Sequence, residues 1–166
     1  MIVVRFALPD ENVIARTIVE KAFAPVREVY RPKIDAVATV NNESLDSRLI
    51  LALVEDVPVG SACVYAQEES LRVSQLAVLP SFQKRGVARQ LLSFAEQVAH
   101  GSGCIDLRLS TIQETGNVAI FERLGFSVQK TSVATWCVSD RFAQLTEVEM
   151  SRPVGENEKH RFPASY

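Results

Sequence analysis

A mixed α/β (α+β) fold built on a mostly antiparallel sheet follows from three features of the sequence. Two apolar runs, Leu49 to Val54 and Val59 to Ala66, flank the turn formers Glu55, Asp56, Val57 and Pro58, which is the pattern of a hairpin of central strands. A third strand, Leu71 to Leu79, comes next and stops at Pro80, whose ring removes a ladder donor. Leu91, Leu92, Ala95 and Val98 then recur at helical spacing up to about His100, and Ile105 to Ser110 alternates as a strand again after the Gly101, Ser102, Gly103 stop.

The flanking elements are weaker. Ile2 to Leu8 reads as a first strand, and Asp10 as the cap of a helix from Glu11 to about Ala24 with Val13, Ile14, Ile18 and Phe23 on its apolar positions. Lys33 to Ser47 has room for a second short helix. A further short helix spans Asn117 to Leu124, and two late strands fit Phe126 to Val138 and Thr146 to Met150. No internal repeat is present. The expected organisation is one domain over residues 1–153 with a polar C-terminal extension over 154–166.

Composition narrows the function classes. The 166 residues are 47% hydrophobic, which suits one compact core. A net charge of -2 and a pI of about 5.7 give no reason to expect nucleic acid as partner, so an anion site must be local. No apolar run approaches the roughly 20 residues that span a bilayer. Met1 to Pro9 lacks the cationic start of a signal peptide, and the expectation is a cytoplasmic protein without a membrane partner. Cys63, Cys104 and Cys137 are odd in number and widely spaced, and form no Cys-x-x-Cys pair. They are expected to be buried, inert thiols, with no metal bound.

The junction between the third strand and its helix carries the first chemical signal. Gln83, Lys84 and Arg85 bring polar and cationic groups to a helix start, where unpaired amides point outward. Gly86 lets an anion approach the backbone, and the small Ala88 keeps the next turn open. Gly86 is not followed by Lys and Ser or Thr, so the P-loop of nucleotide hydrolases lacks support.

A second signal lies just upstream. Leu71 and Val73 occupy odd positions, Ser74 and Gln75 are both polar, and Leu76 and Val78 take over on even positions. Side chains alternate strictly along a strand, so a slip of one residue either flips the buried face or marks a bulge. A bulge would open the ladder and free amides near Leu76 and Val78 for an extended ligand.

The strand, then Gln83-x-x-Gly86-x-Ala88, then helix, resembles the acetyl-CoA pyrophosphate loop of the GNAT superfamily of N-acetyltransferases, and Asn117 to Phe126 is similar to that family's Asn-led helix ending in Leu-Gly-Phe. The order and spacing of the pieces match from Leu71 to Phe126, and in outline from residue 48 to 150. The resemblance implies helices on both faces of the sheet and a V-shaped split between the bulged strand and Ile105 to Ser110. It implies that acetyl-CoA lies in the split, with pantetheine on the amides of Leu76, Ala77 and Val78 and pyrophosphate in the cradle Gln83, Lys84, Arg85, Gly86, Val87 and Ala88. Asn117 and Phe121 would complete the cofactor wall. The implied activity is transfer of acetyl from acetyl-CoA to a primary amine of a small molecule or peptide by direct attack, and a homodimer is left open.

Two departures from the family pattern bear on mechanism. Phe121 stands where many members have a Tyr that protonates the departing thiolate, and Ser74 and Gln75 stand where strand acids often occur. A thiol of pKa about 8.5 is a tolerable leaving group without an acid. An amine of pKa about 10 costs on the order of 4 kcal/mol to deprotonate at pH 7, so some group must take its proton. Glu114, Glu68 and Glu69 are the candidate bases. Tyr30, Arg31 and Trp136 are the candidate acceptor contacts. The missing hydroxyl also leaves a second reading, a non-enzymatic acyl-CoA-binding or partner-binding module on the same fold.

Overall fold

The computed structural model describes residues 1–33 and 46–155. Its strands are β1 (Ile2–Phe6), β2 (Arg31–Pro32), β3 (Arg48–Val54), β4 (Val57–Gln67), β5 (Ser70–Val78), β6 (Asp106–Ile112), β7 (Ser127–Val133), β8 (Cys137–Val138) and β9 (Thr146–Pro153). The helices are α1 (Asn12–Phe23), α2 (Val87–Gly101) and α3 (Asn117–Arg123). The short helix expected within Lys33 to Ser47 falls largely on residues 34–45, outside the described residues, as does most of the polar extension.

Seven strands form one sheet in the order β1, β3, β4, β5, β6, β9, β7, and β2 pairs with β8 separately. Every pair in the large sheet is antiparallel except β5 with β6. The parallel pair is also the shortest, running only from Ser70 to Arg72 against Asp106 to Arg108. Beyond Arg72 the two strands part, and the sheet opens as the V that the sequence reading anticipated.

Why β3 is a continuous apolar run is visible in its packing. Ile50 and Ala52 face the cluster built on α2, while Leu51 and Leu53 face the cluster built on α1. A strand covered on both faces has no polar side to alternate with. Val87, Leu91, Leu92, Ala95 and Ala99 give α2 its buried stripe, and Ala15, Ile18 and Ala22 give α1 a narrower one. Helices therefore cover both faces.

Local chemistry sets several boundaries differently from expectation. The β3 to β4 hairpin needs only Glu55 and Asp56, both at positive φ (50° and 65°), so Val57 and Pro58 belong to β4. Pro58 is tolerated because the register shifts there, between Ala52 and Leu53 of the partner strand. Asp10 does not cap α1. A single 3-10 turn, Pro9–Glu11, precedes the helix, and the Glu11 carboxylate accepts the Leu8 N–H at 2.7 Å. Arg5 donates to both Glu11 oxygens, at 2.7 and 3.0 Å. The Arg5 hydrogen bonds, then the Leu8 amide, hold the Glu11 carboxyl down to about 2 from the ordinary 4.5. Its contribution to stability is complete above the ordinary value and is lost as pH falls toward about 2. Ile105 is 59% exposed and precedes β6, which runs instead to the buried Ile112.

All three cysteines are buried. Burial pushes the Cys104 and Cys137 thiols up, which suits inert packing rather than nucleophilic chemistry. No helix among the described residues is long and apolar enough to cross a membrane.

Candidate active site

The phase slip in β5 is a bulge. Cys63 pairs with Ser74 and Ser61 with Ala77, so β5 spends one more residue than β4 between the two pairings, and Gln75 takes a φ of 52°. The extra residue explains the shift from odd to even. Leu71 and Val73 before it, and Leu76 and Val78 after it, all pack into the α2 cluster, so the bulge keeps one face apolar across the irregularity.

Amide directions follow from the pairing. The Leu79 N–H bonds to the Val59 carbonyl at 2.8 Å, so alternation turns the Ala77 amide toward β4 as well and turns Leu76 and Val78 toward the open edge. Ala77 is thus a correction to the sequence reading. Its amide is committed to the sheet and its side chain is buried among Ala15, Ile18 and Leu51. Leu76 and Val78 face the gap that β6 has vacated.

The loop after β5 is held back against that edge. Gln83 Nε2 donates to the Val78 carbonyl at 3.1 Å, which fixes the start of the turn. Lys84 and Gly86 both adopt positive φ, 62° and 85°, a sequence of backbone turns that gathers N–H groups into a concave nest. The first bond within α2 runs from the Gln90 N–H to the Gly86 carbonyl at 3.0 Å, so the amides of Val87, Ala88 and Arg89 have no acceptor inside the helix. Gly86 has nothing within 4 Å of where a Cβ would stand. Arg85 lies over the Phe82 ring at 5.3 Å, with its charge beside the nest. Val87 points its side chain into the core at 1% exposure and can offer only its amide.

Gly60 sets how closely α2 approaches the sheet. A Cβ there would stand 2.9 Å from Val87 Cγ1 and 3.2 Å from Leu91 Cδ1, so the helix start sits directly on β4. The nest inherits its position from that contact.

α3 supplies part of the opposite wall. Asn117 does not act as a cap. Gly116 does, at φ 81°, while Thr115 Oγ1 accepts the Asn117 N–H at 3.3 Å. The helix ends in a Schellman turn, with the Phe126 N–H on the Phe121 carbonyl and the Gly125 N–H on the Glu122 carbonyl, both at 3.0 Å, and Gly125 at φ 93°. Phe126 is buried, and Phe121 meets its ring edge-on at 6.0 Å. Asn117 and Phe121 both line a cavity of about 240 Å³ that also touches Gln75 and Leu76.

The candidate bases do not gather there. Glu68 and Glu69 form the two-residue turn between β4 and β5, with Glu68 at φ 55°, at the end of β5 away from the bulge. They border a separate depression with Arg108 and Glu149. Both Glu114 oxygens accept the Thr146 N–H at 3.0 Å, so this carboxylate pins the start of β9 and does not line the cavity. Arg31 also lies elsewhere, on β2, in an exposed ion pair with Asp140 at 3.0 Å.

Tyr30 and Trp136 do line the cavity, ring against ring at 5.7 Å. Trp136 Nε1 donates to Glu147 Oε2 at 2.9 Å, and Glu147, Tyr65 and Arg72 are lining residues that the sequence reading missed. The only signal for Glu147 was its place on the polar side of the alternating strand Glu147, Val148, Glu149, Met150. Nothing in that strand pointed to Trp136 as its hydrogen-bond partner. Among the described residues no group of three or more His, Cys, Asp or Glu side chains is arranged to hold a metal.

The arrangement has known counterparts. The family model described as the acetyltransferase (GNAT) family matches residues 16–126, more than half of the chain. The ribosomal-protein-S18-alanine N-acetyltransferase from Escherichia coli shares the fold at TM-score 0.73 and 18% identity, over 95% of this chain and 98% of that one. A ribosomal-protein-alanine N-acetyltransferase from Brucella melitensis superposes at TM-score 0.70 and 16% identity, over 91% and 99%. A GNAT family acetyltransferase from Elizabethkingia anophelis with acetyl-CoA bound superposes at 0.67 and 15% identity, over 92% and 97%. With a split sheet, a bulged strand and an amide nest in the order that family uses, the chain belongs to the GNAT family of acetyltransferases, enzymes that carry out N-acetylation with acetyl-CoA as the donor.

Proposed function

We propose that this chain acetylates the primary amine of a small molecule or peptide by direct attack on the thioester of acetyl-CoA, within a single domain of residues 1–153. The observation that carries the reading is the bulge, which leaves the Leu76 and Val78 amides facing the open edge immediately upstream of the nest at Lys84 to Ala88. Two amides spaced along an extended edge suit the amide-bearing arm of the donor. The nest and the unpaired α2 amides, with Lys84 and Arg85 beside them, suit its pyrophosphate. Gly86 fits the role because the space above it is empty.

In this reading a neutral acceptor amine enters from the side of Tyr30 and Trp136 and attacks the acetyl carbon. An edge amide at Leu76 or Val78 donates to the acetyl oxygen as negative charge grows on it. The carbon–sulfur bond breaks, the sulfur leaves as a thiolate without a hydroxyl at position 121, and the proton shed by the attacking nitrogen passes through water to that thiolate, giving the amide and the free thiol of CoA.

Calorimetry with acetyl-CoA tests the reading. Saturable binding to the folded protein is expected, and no heat at millimolar donor would overturn it.

A further inference from the structure

Among the described residues Glu147 is the one carboxylate that lines the cavity between the two walls. It is half-buried, and its only hydrogen bond is from the Trp136 indole to Oε2, so Oε1 accepts none among the described residues. No Lys, Arg or His forms an ion pair with it among those residues. Lys33, whose backbone N–H bonds to the Trp136 carbonyl at 2.9 Å, is a nearby cation that forms no ion pair with Glu147 among the described residues, and the arginines are engaged elsewhere. Arg72 pairs with Glu149 at 2.9 Å and donates to Ser110 Oγ at 3.1 Å. Arg27 lies over the Phe23 and Tyr30 rings at 5.6 and 5.2 Å, so this aromatic group already accepts a cation on a ring face.

A negative charge held by one neutral donor and walled by Trp136, Tyr30 and Phe121 is short of a counter-charge. We propose that Glu147, with the Trp136 and Tyr30 rings, is the subsite for a cationic group of the acceptor that does not itself react, so that the acceptor class is a small diamine. The reason is one of protonation. A carboxylate beside aromatic faces stabilises an ammonium and raises its pKa, whereas the attacking amine must lose its proton to expose a lone pair. The group that Glu147 holds is therefore not the nucleophile. A second amine on the same molecule reaches the other end of the cavity, where Gln75 and Leu76 lie. The proposal rests on the acetyl-transfer reading for the identity of that second step.

Trp136 is the only tryptophan in the chain, so its fluorescence reports on this subsite directly. Choline is the probe, with its neutral carbon isostere 3,3-dimethylbutan-1-ol as the control. Choline is expected to change the emission saturably, the isostere to bind at least tenfold more weakly, and Glu147→Gln to weaken choline at least tenfold while leaving acetyl-CoA affinity unchanged. Equal titration by choline and the isostere, or full choline affinity in the variant, would overturn the subsite. In CoA-release assays, butane-1,4-diamine is expected to exceed butylamine at least tenfold in kcat/KM, and the variant to erase that ratio. An equal loss for both amines would instead make Glu147 a general positioning residue and sink the diamine assignment. If neither amine turns over, the fluorescence titrations alone decide. Choline binding without acetyl-CoA binding would count against the donor reading and leave the cation subsite standing.

Discussion

The two walls of the cleft are made by different means. The β5 wall is backbone: a bulge, two edge amides, two residues at positive φ, and a helix start with unpaired N–H groups. The β9 and α3 wall is side chain: Trp136 on Glu147, Tyr30 on Trp136, Phe121 on Phe126. A donor shared by a whole family is suited to groups that every residue carries, whereas an acceptor is distinguished by groups that only particular residues carry. The first wall is local in sequence and the second is assembled from segments more than a hundred residues apart.

Both walls nevertheless stand on one core. Leu91 and Leu92 of α2 share a cluster with Phe126, Val148 and Met150 of the opposite wall. The largest expected effect therefore comes from Leu91→Ala, which should remove about 2–5 kcal/mol of stability and degrade both walls together. Urea unfolding checks this, and a loss well under 1 kcal/mol would mean that the walls are anchored separately.

Gly86→Val attacks the backbone wall alone. The side chain meets no protein atom but must adopt a left-handed conformation, at a strain of about 1–2 kcal/mol, and it projects into the nest. Acetyl-CoA affinity should fall at least tenfold by calorimetry, while the emission of Trp136 stays as in the parent. Unchanged affinity would remove the nest from the donor site.

Glu114→Gln is the milder probe of the other wall. The neutral amide still offers one oxygen to the Thr146 N–H, so a loss of about 1 kcal/mol is expected from exchanging a charged acceptor for a neutral one. Acetyl-CoA affinity and the pH dependence of turnover should be unaltered, since Glu114 does not line the cavity. A shifted pH profile would return it to the list of proton acceptors and blur the contrast between the walls.

The same contrast explains what could be read in advance. The hairpin, the strand before Pro80, the amphipathic helix and the Leu-Gly-Phe turn each depend on residues close in sequence, and each is present. The bulge was legible because a slip of one residue changes the parity of every apolar position after it. The errors share a cause. Asp10 has the right chemistry for a cap, but a 3-10 turn held by the Glu11 carboxylate on the Leu8 amide precedes the helix instead. Glu68, Glu69 and Glu114 were nominated because they are carboxylates near the right segments. A turn and a β9 amide claim them.

By itself, then, the sequence determined the order of elements, the bulge and the donor-binding loop, because alternation, helical spacing and the demands of Pro and Gly act within a few residues. Only the tertiary structure decided which amides face the gap, since that depends on β6 leaving β5 after Arg72. It also decided that Glu147 and Trp136, and not the carboxylates nominated from sequence, share the cavity with Leu76. Those side chains meet because β6 draws β9 alongside it, and a pairing between distant strands leaves no mark in either segment.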